Sequence, residues 1–347
     1  MHAREVEKRE AGEETLYMKP TEKKTLGRTG IPVTRLGLGC ASLGGLYGDI
    51  PDQQATAVVK QALALGLNLL DTAPLYGYGK SEVRLGQALA GVPRDRYVLS
   101  TKVGRLLVSV EEGDRSQDPQ WGNPPPVRPK FDFSYDAIMR SFEESLQRLN
   151  LDRIDILHIH DSDNHWEQAI EGAYPALDKL RSQNIIRGVS AGMNQCEMLV
   201  RFAREGDFDC FLLAGRYSLL EQGALDELFP LCQRKNIGIM LGGHYNGGIL
   251  AGDLSRGAKY NYEDAPLDIL QKAKGIQAVA ARHNISLKAA ATQFALAHPA
   301  VTCIIPGTRV PERVEENFQV FEEQIPPAFW AELKAEKLIR EDAPVPV

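Results

Sequence analysis

Eight short runs rich in valine, isoleucine and leucine recur along the chain: LGLGC (36–40), NLLDT (68–72), YVLSTKV (97–103), IDILHIH (154–160), RGVSA (187–191), DCFLLAG (209–215), IGIML (237–241) and TCIIPG (302–307). Each is nearly continuous in hydrophobicity, which is the pattern of strands covered on both faces in a parallel sheet. The segments 52–66, 79–90, 134–149, 165–183, 194–205, 221–235 and 267–298 between them carry a helical period. The last reads as two helices broken near Asn284-Ile285-Ser286, where Ser286 can cap the second. Strands alternating with helices eight times over describe an α/β fold, a (β/α)8 TIM barrel, which takes about 250 residues. The remainder of the 347 residues falls into a polar segment at 1–24, a tail at 336–347 and two long loops at 104–133 and 242–266, leaving 25–335 as a single barrel. A small β-hairpin, KTLGRTGIPVTRL turning at Gly30, precedes the first run.

Other architectures fit less well. A doubly wound sheet wants a third phosphate-binding glycine and a helix start after Gly37-Leu38-Gly39-Cys40, and no GxxxxGK[ST] loop occurs anywhere. The formal net charge of −6 offers no field to attract nucleic acid or an anionic membrane. No apolar run reaches the roughly 18 residues of a membrane span. Positions 1–24 hold six basic and six acidic residues and no apolar centre of a signal peptide, so a cytoplasmic protein is expected. Five scattered cysteines without a CxxC pair fit reduced thiols in that compartment.

In a barrel, chemistry is built from polar residues at the carboxyl ends of strands. The second run ends in Asp71 and leads through Thr-Ala-Pro-Leu to Tyr76; the third embeds Lys102 in VLSTKVG; the fourth ends in His160. Charged residues inside apolar strands are costly unless they pair. The residues alone therefore leave two readings of Asp71 and Lys102, a structural ion pair or part of a site. Both long loops follow strands, so both emerge on the same rim and are expected to wall a pocket, the first contributing Trp121.

These residues and their surroundings resemble the aldo-keto reductase family from about residue 25 to about 320. The resemblance rests on LGLGCASLGG, NLLDTAPLYGYGKSEVRLGQAL, VLSTKVG, SFEESLQRLNLDRIDILHIHD and IIPGTRVPERVEEN. It implies a catalytic tetrad of Asp71, Tyr76, Lys102 and His160. Tyr76 would exchange a proton with the substrate oxygen as hydride moves to or from a nicotinamide nucleotide. A free tyrosine titrates near pH 10; an ammonium about 5 Å away, at an effective dielectric of about 20, favours the phenolate by about 3 kcal/mol. Asp71 would hold Lys102 charged, and His160 would donate to the reacting oxygen.

The resemblance also implies NAD or NADP lying against Gly39, Cys40, Ser190, Asn194, Gly307, Thr308, Arg309, Arg313, Glu316 and Asn317. Many NADP-preferring members carry a lysine where Gly307 stands, so NAD or dual use is expected. Other departures fall near the nicotinamide. Ala191 replaces an asparagine after Ser190, with Asn194 a stand-in from the next turn. A common glutamine becomes Ala214 or Gly215, and Gly242-Gly243-His244-Tyr245-Asn246 replaces Ser-Pro-Leu. Within the family, HIHDSD, GVSAGMNQ, LLAGRYSLL and GGHYNGGILAG are similar to the D-threo-aldose 1-dehydrogenases (L-fucose dehydrogenases), with pyridoxal 4-dehydrogenases and plant L-galactose dehydrogenases nearby. That implies oxidation of a cyclic aldose at C1 to the lactone, with Trp121, Asp161, His244 and Tyr245 around the substrate. Asp161 stands where many carbonyl-reducing members have tryptophan, which suits a polyhydroxylated substrate.

Three rival readings are a general NADPH-dependent carbonyl reductase, a metal-dependent hydrolase and a nucleotide-binding redox-sensing subunit. The HxH pair His158 and His160 suggests metal, but it lies on the fourth run, and runs five to eight contain no histidine; no metal is expected. A sensing subunit would tolerate a damaged tetrad, and this one is intact. The oligomeric state is left open by the sequence.

Overall fold

Alternate residues of a β-strand face opposite ways, and here that alternation produces two apolar layers around one closed sheet. The computed structural model describes residues 18–346 apart from 117, 253, 255–258, 261 and 262. Eight strands form the sheet: β1 (Leu38–Gly39), β2 (Leu69–Asp71), β3 (Val98–Val103), β4 (Ile156–His160), β5 (Gly188–Met193), β6 (Cys210–Ala214), β7 (Gly238–Gly242) and β8 (Val301–Ile304). They pair in sequence order and all in parallel. Parallel bridges from Leu36 to Ile304 and from Gly39 to Gly307 join the first strand to the last, closing the (β/α)8 barrel.

Leu69, Val98, Ile156, Cys210 and Met240 face inward near the starts of their strands and cluster with Leu26, Ile31 and Val33. The latter three belong to the antiparallel hairpin Lys23–Thr25/Pro32–Thr34, which therefore plugs the amino-terminal mouth of the barrel. The hairpin begins two residues before position 25, and residues 1–17 lie outside the described residues. Leu70, Leu99, Leu157, Val189, Phe211 and Ile239 point outward into the layer shared with the helices. Ile339 and Ala343, beyond position 335, are buried in that layer too.

Most helices follow their sequence periods. Ser134 and Ser286 cap Tyr135–Leu149 and Leu287–Ala297 through their hydroxyls. Three segments differ from expectation. The helix read at 221–235 starts only at Leu228, because Pro230 is tolerated in a first turn and not mid-helix. The helix at 165–183 contains a π turn, Ala169–Ala173, just before Pro175, whose missing N–H breaks the regular ladder. Two proline-initiated helices, Pro311–Gln319 and Pro327–Ala335, follow β8. The loop 104–133 contains an antiparallel ribbon pairing Arg105–Ser109 with Val127–Phe131, and 242–266 contains the short pair Lys259–Tyr260/Glu263–Asp264.

Candidate active site

Asp71 closes β2 and faces into the barrel beside Lys102 of β3; both are about 1% exposed. Lys102 Nζ donates to Asp71 Oδ2 at 2.7 Å and to the Thr72 carbonyl at 2.8 Å, while Ser100 Oγ donates to Asp71 Oδ1 at 2.7 Å. Burial alone would lower the ammonium's pKa, but Asp71 and then Tyr76 outweigh it and hold Lys102 above its ordinary value.

Tyr76 reaches this pair from the turn after β2. The chain folds back through Tyr76 N–H to Ala73 O and Gly79 N–H to Pro74 O. Gly77, at φ +61°, lies so close to Gly44 that a Cβ would sit 2.1 Å from the Gly44 carbonyl oxygen; only glycine fits there. The ring that results lies 4.7 Å, centroid to Nζ, from Lys102, with which the tyrosine also hydrogen bonds. His160, at the end of β4, meets the Tyr76 ring edge-on at 6.1 Å. Burial first, then Arg105 and Lys102, keep the His160 imidazole well below its ordinary pKa, and its Nδ1 has no protein partner.

Asp71, Tyr76, Lys102 and His160 are thus gathered at one spot. Tyr76, Lys102 and His160 line a cavity of about 230 Å3 together with Leu46, Trp121, Asp161, Met193 and Asn194. Trp121 stands 6.1 Å from Tyr76, ring to ring. Asp161 takes a left-handed backbone, φ +43°, and its carboxylate accepts from Arg105 Nη2 at 2.8 Å and Asn194 Nδ2 at 3.3 Å. Burial raises the Asp161 pKa, with Arg105 opposing. Arg105 is the residue that sequence reading missed. Its only signal was a base two positions past the end of β3.

Other residues fall elsewhere. Ser190 lies below the cavity, wholly buried, with its Oγ 2.6 Å from His158 Nδ1. Cys40 faces the outer apolar layer. His244 and Tyr245 do not line the cavity: Tyr245 Oη bonds Thr292 Oγ1 at 2.8 Å and Asn317 Oδ1 at 3.4 Å, placing both rings toward the helices Leu287–Ala297 and Pro311–Gln319. His244 is 1% exposed with neither ring nitrogen partnered, and burial followed by Lys288 lowers its pKa to about 3. Glu316 pairs with Lys288, and Arg309 Nη1 donates to the Tyr47 carbonyl at 3.3 Å. Thr308 Oγ1 exchanges hydrogen bonds with Val310, and Arg313 is exposed. Gly39 donates to the Pro306 carbonyl at 3.1 Å beside Gly307.

Among the described residues, no three His, Cys, Asp or Glu side chains are grouped to hold a metal, and no helix is long and apolar enough to cross a membrane. The ends of β6, β7 and β8 carry the small residues Ala214-Gly215, Gly242-Gly243 and Gly307, all at least partly exposed. Backbone groups left bare by small residues, with Arg309 and Arg313 following in the chain, are chemically suited to an anionic dinucleotide.

Beside the closed parallel barrel and the buried ammonium–carboxylate pair at its carboxyl-terminal mouth, the family and relatives of the chain make it an NAD(P)-dependent oxidoreductase. The chain belongs to the aldo/keto reductase family, whose profile matches residues 35–337. It is 39% identical over 342 residues to a pyridoxal 4-dehydrogenase of Microbacterium luteolum, covering 93% of this chain and all of the relative. It is 37% identical to a D-threo-aldose 1-dehydrogenase of a Pseudomonas species, covering 89% and 96%. An aldo-keto reductase from Bacillus halodurans, in its holo form, superposes with a TM-score of 0.73 at 26% identity, covering 93% and 97%.

Proposed function

We propose that the protein oxidises a cyclic aldose of the L-fucose or D-threo type at C1 to the lactone. The observation that carries this reading is the Asp161 carboxylate, fixed in the cavity wall by Arg105 and Asn194 and sharing that cavity with the Trp121 indole. A pyranose presents adjacent hydroxyls and an apolar C–H face. A carboxylate accepts from the first and an aromatic ring covers the second. The similarity to a D-threo-aldose 1-dehydrogenase supports the same substrate class.

In this reading Asp71, Tyr76, Lys102 and His160 are the catalytic set. NAD(P)+, when bound, supplies the hydride acceptor. Tyr76 Oη accepts the proton of the C1 hydroxyl as that carbon is oxidised, and Lys102 stabilises the phenolate that must do so. Asp71 holds Lys102 charged and in place. His160, kept neutral by burial, offers one N–H to the reacting oxygen without adding a charge beside Lys102. Asn194 is the side-chain amide available at the cavity edge for a carboxamide. Gly39, Gly307, Thr308, Arg309, Arg313, Glu316 and Asn317 would lie along the remainder of the nucleotide. NAD, alone or with NADP, is the proposed nucleotide, because Gly307 brings no cation and a Cβ there would already stand 3.0 Å from the Gly39 carbonyl oxygen.

The test is nicotinamide absorbance with purified protein, NAD+ or NADP+, and L-fucose, D-arabinose, L-galactose, pyridoxal and simple aldehydes. Reduction of NAD+ by the fucose-type sugars is expected, and Tyr76→Phe should abolish turnover while leaving nucleotide affinity intact. NADPH consumption with simple aldehydes and silence on sugars would replace this reading by a general carbonyl reductase. Pyridoxal is the second reading, favoured by the neighbouring Tyr76 and Trp121 rings, which suit an aromatic substrate, and by the 39% identity to a pyridoxal 4-dehydrogenase.

A further inference from the structure

His158 is a buried polar group that the site above leaves without a task. It faces into the barrel two residues before His160 and is fully buried. The sheet register sets Lys102 opposite His158, His158 opposite Ser190 and Ser190 opposite Cys210, so four polar side chains form one layer across β3 to β6. His158 Nδ1 is 2.6 Å from Ser190 Oγ, which in turn hydrogen bonds with the Cys210 thiol. The other nitrogen, Nε2, stands 3.6 Å from Asp71 Oδ1 and has no hydrogen-bond partner.

Burial, then the Lys102 charge, keeps this imidazole well below its ordinary pKa, so it carries a single N–H. The surroundings decide where that proton sits. On Nδ1 it would leave the Nε2 lone pair facing a carboxylate. On Nε2 it faces Asp71 with its positive end, and Nδ1 accepts from the Ser190 hydroxyl at 2.6 Å in preference to the Ala191 carbonyl, the hydroxyl's other acceptor at 3.4 Å. We propose that His158, oriented by Ser190, is a positioning residue whose Nε2–H steadies the Asp71 carboxylate and so moderates how strongly Asp71 counters Lys102 at Tyr76. The groups facing it are Asp71 on β2, Lys102 on β3, His160 on its own strand, Ser190 on β5 and Cys210 on β6; Tyr76, whose ionisation is read, faces Lys102, His160 and the charge of Arg105 in the segment after β3. The proposal rests on the reading of Tyr76 as the proton acceptor.

Two amides separate the two sides of the ring. His158→Gln carries an N–H to the Nε2 position; His158→Asn reaches only the Ser190 side. The ionisation of Tyr76 is read by tyrosinate difference absorbance on nucleotide-free protein, with Tyr76→Phe as the blank in each background, and again as the pH limb of aldose oxidation. Without the donor, Asp71 opposes the phenolate more fully. The Asn variant should therefore move both readings upward by about half to one pH unit, and the Gln variant should stay within a few tenths of the parent. A limb unmoved in Asn, or moved equally in Asn and Gln, would overturn the role of His158. If Tyr76→Phe keeps its turnover, the reading of the site fails instead, and the two failures are told apart by that blank. Thermal unfolding of each variant separates a lost fold from a shifted ionisation.

Discussion

Lys102→Met tests most directly how Tyr76 is tuned. The ammonium lies 4.7 Å from the Tyr76 ring centroid. At that separation and an effective dielectric of about 20, a unit charge favours the phenolate by ~3.5 kcal/mol, or ~2.6 pK units. Asp71, 2.7 Å from the same nitrogen, subtracts part of this and leaves a net shift of about one to two units. The substitution also strands a carboxylate that is about 1% exposed, at a stability cost of about 3–5 kcal/mol. A loss of turnover in the single variant is therefore ambiguous. Adding Asp71→Asn removes both charges, recovers most of the lost stability and leaves Tyr76 with only the Arg105 charge, itself paired with Asp161. The assay joins urea denaturation to tyrosinate difference titration against a Tyr76→Phe blank in each background. Expected is a Tyr76 ionisation about one to two units higher in the double variant, with turnover below the limb reduced about 10–100-fold. An unmoved ionisation in a stable double variant would refute the claim that Lys102 sets the acidity of Tyr76.

Three further outcomes follow from other parts of the molecule. Asp161→Asn keeps a residue that tolerates φ +43° but takes the counter-charge from buried Arg105, so it should cost up to about 3–5 kcal/mol by chemical denaturation and, in the protein that remains folded, raise KM for aldoses about tenfold with KM for simple aldehydes unaffected; equal losses on both substrates would contradict a sugar-binding role. Arg148→Met leaves Glu82, wholly buried and bound otherwise to Thr101, without its cation, and should cost about 3–5 kcal/mol by chemical denaturation. Acidification should destabilise the fold below pH 6.5, because His244 (about 3) and His298 (about 4), with His158 and His160 also lowered, refuse protons that the unfolded chain accepts. Stability is then full above 6.5 and lost as pH falls toward the folded values, by about 2 kcal/mol for a fully shifted imidazole at pH 5 relative to pH 7. His244→Phe should flatten that slope by one histidine's share, and identical slopes would remove His244 from the account.

The barrel was legible because strands covered on both faces carry their signal in continuous apolar runs. A lysine inside VLSTKV stands out against such a run, and the same contrast exposed Asp71 and His160. What escaped depends on where a strand stops and on pairings between distant segments. Ser190 and Gly192 share the inward face of β5, and that step of two residues advances about 6.6 Å along the strand. Ser190 consequently sits one inward step, about 6.6 Å, below Gly192, which lines the cavity, and lies at the level of His158. Residue type gives the chemistry, and only register gives the height. Arg105 and Asp161 are 56 positions apart in chain segments that follow different strands, so nothing local ties them together. The ribbon after β3 was read as loop because VRPKF and RLLVS are half-exposed and carry charges where a buried strand would not. His244 and Tyr245 follow two glycines whose left-handed or open backbone sets the loop's direction, so the rings turn toward the helices behind β8 and away from the substrate cavity. The proposed catalytic set is thus written in residue identity at strand ends, whereas the cavity wall is written in contacts between loops, which is why the family is legible from the chain and the substrate is not.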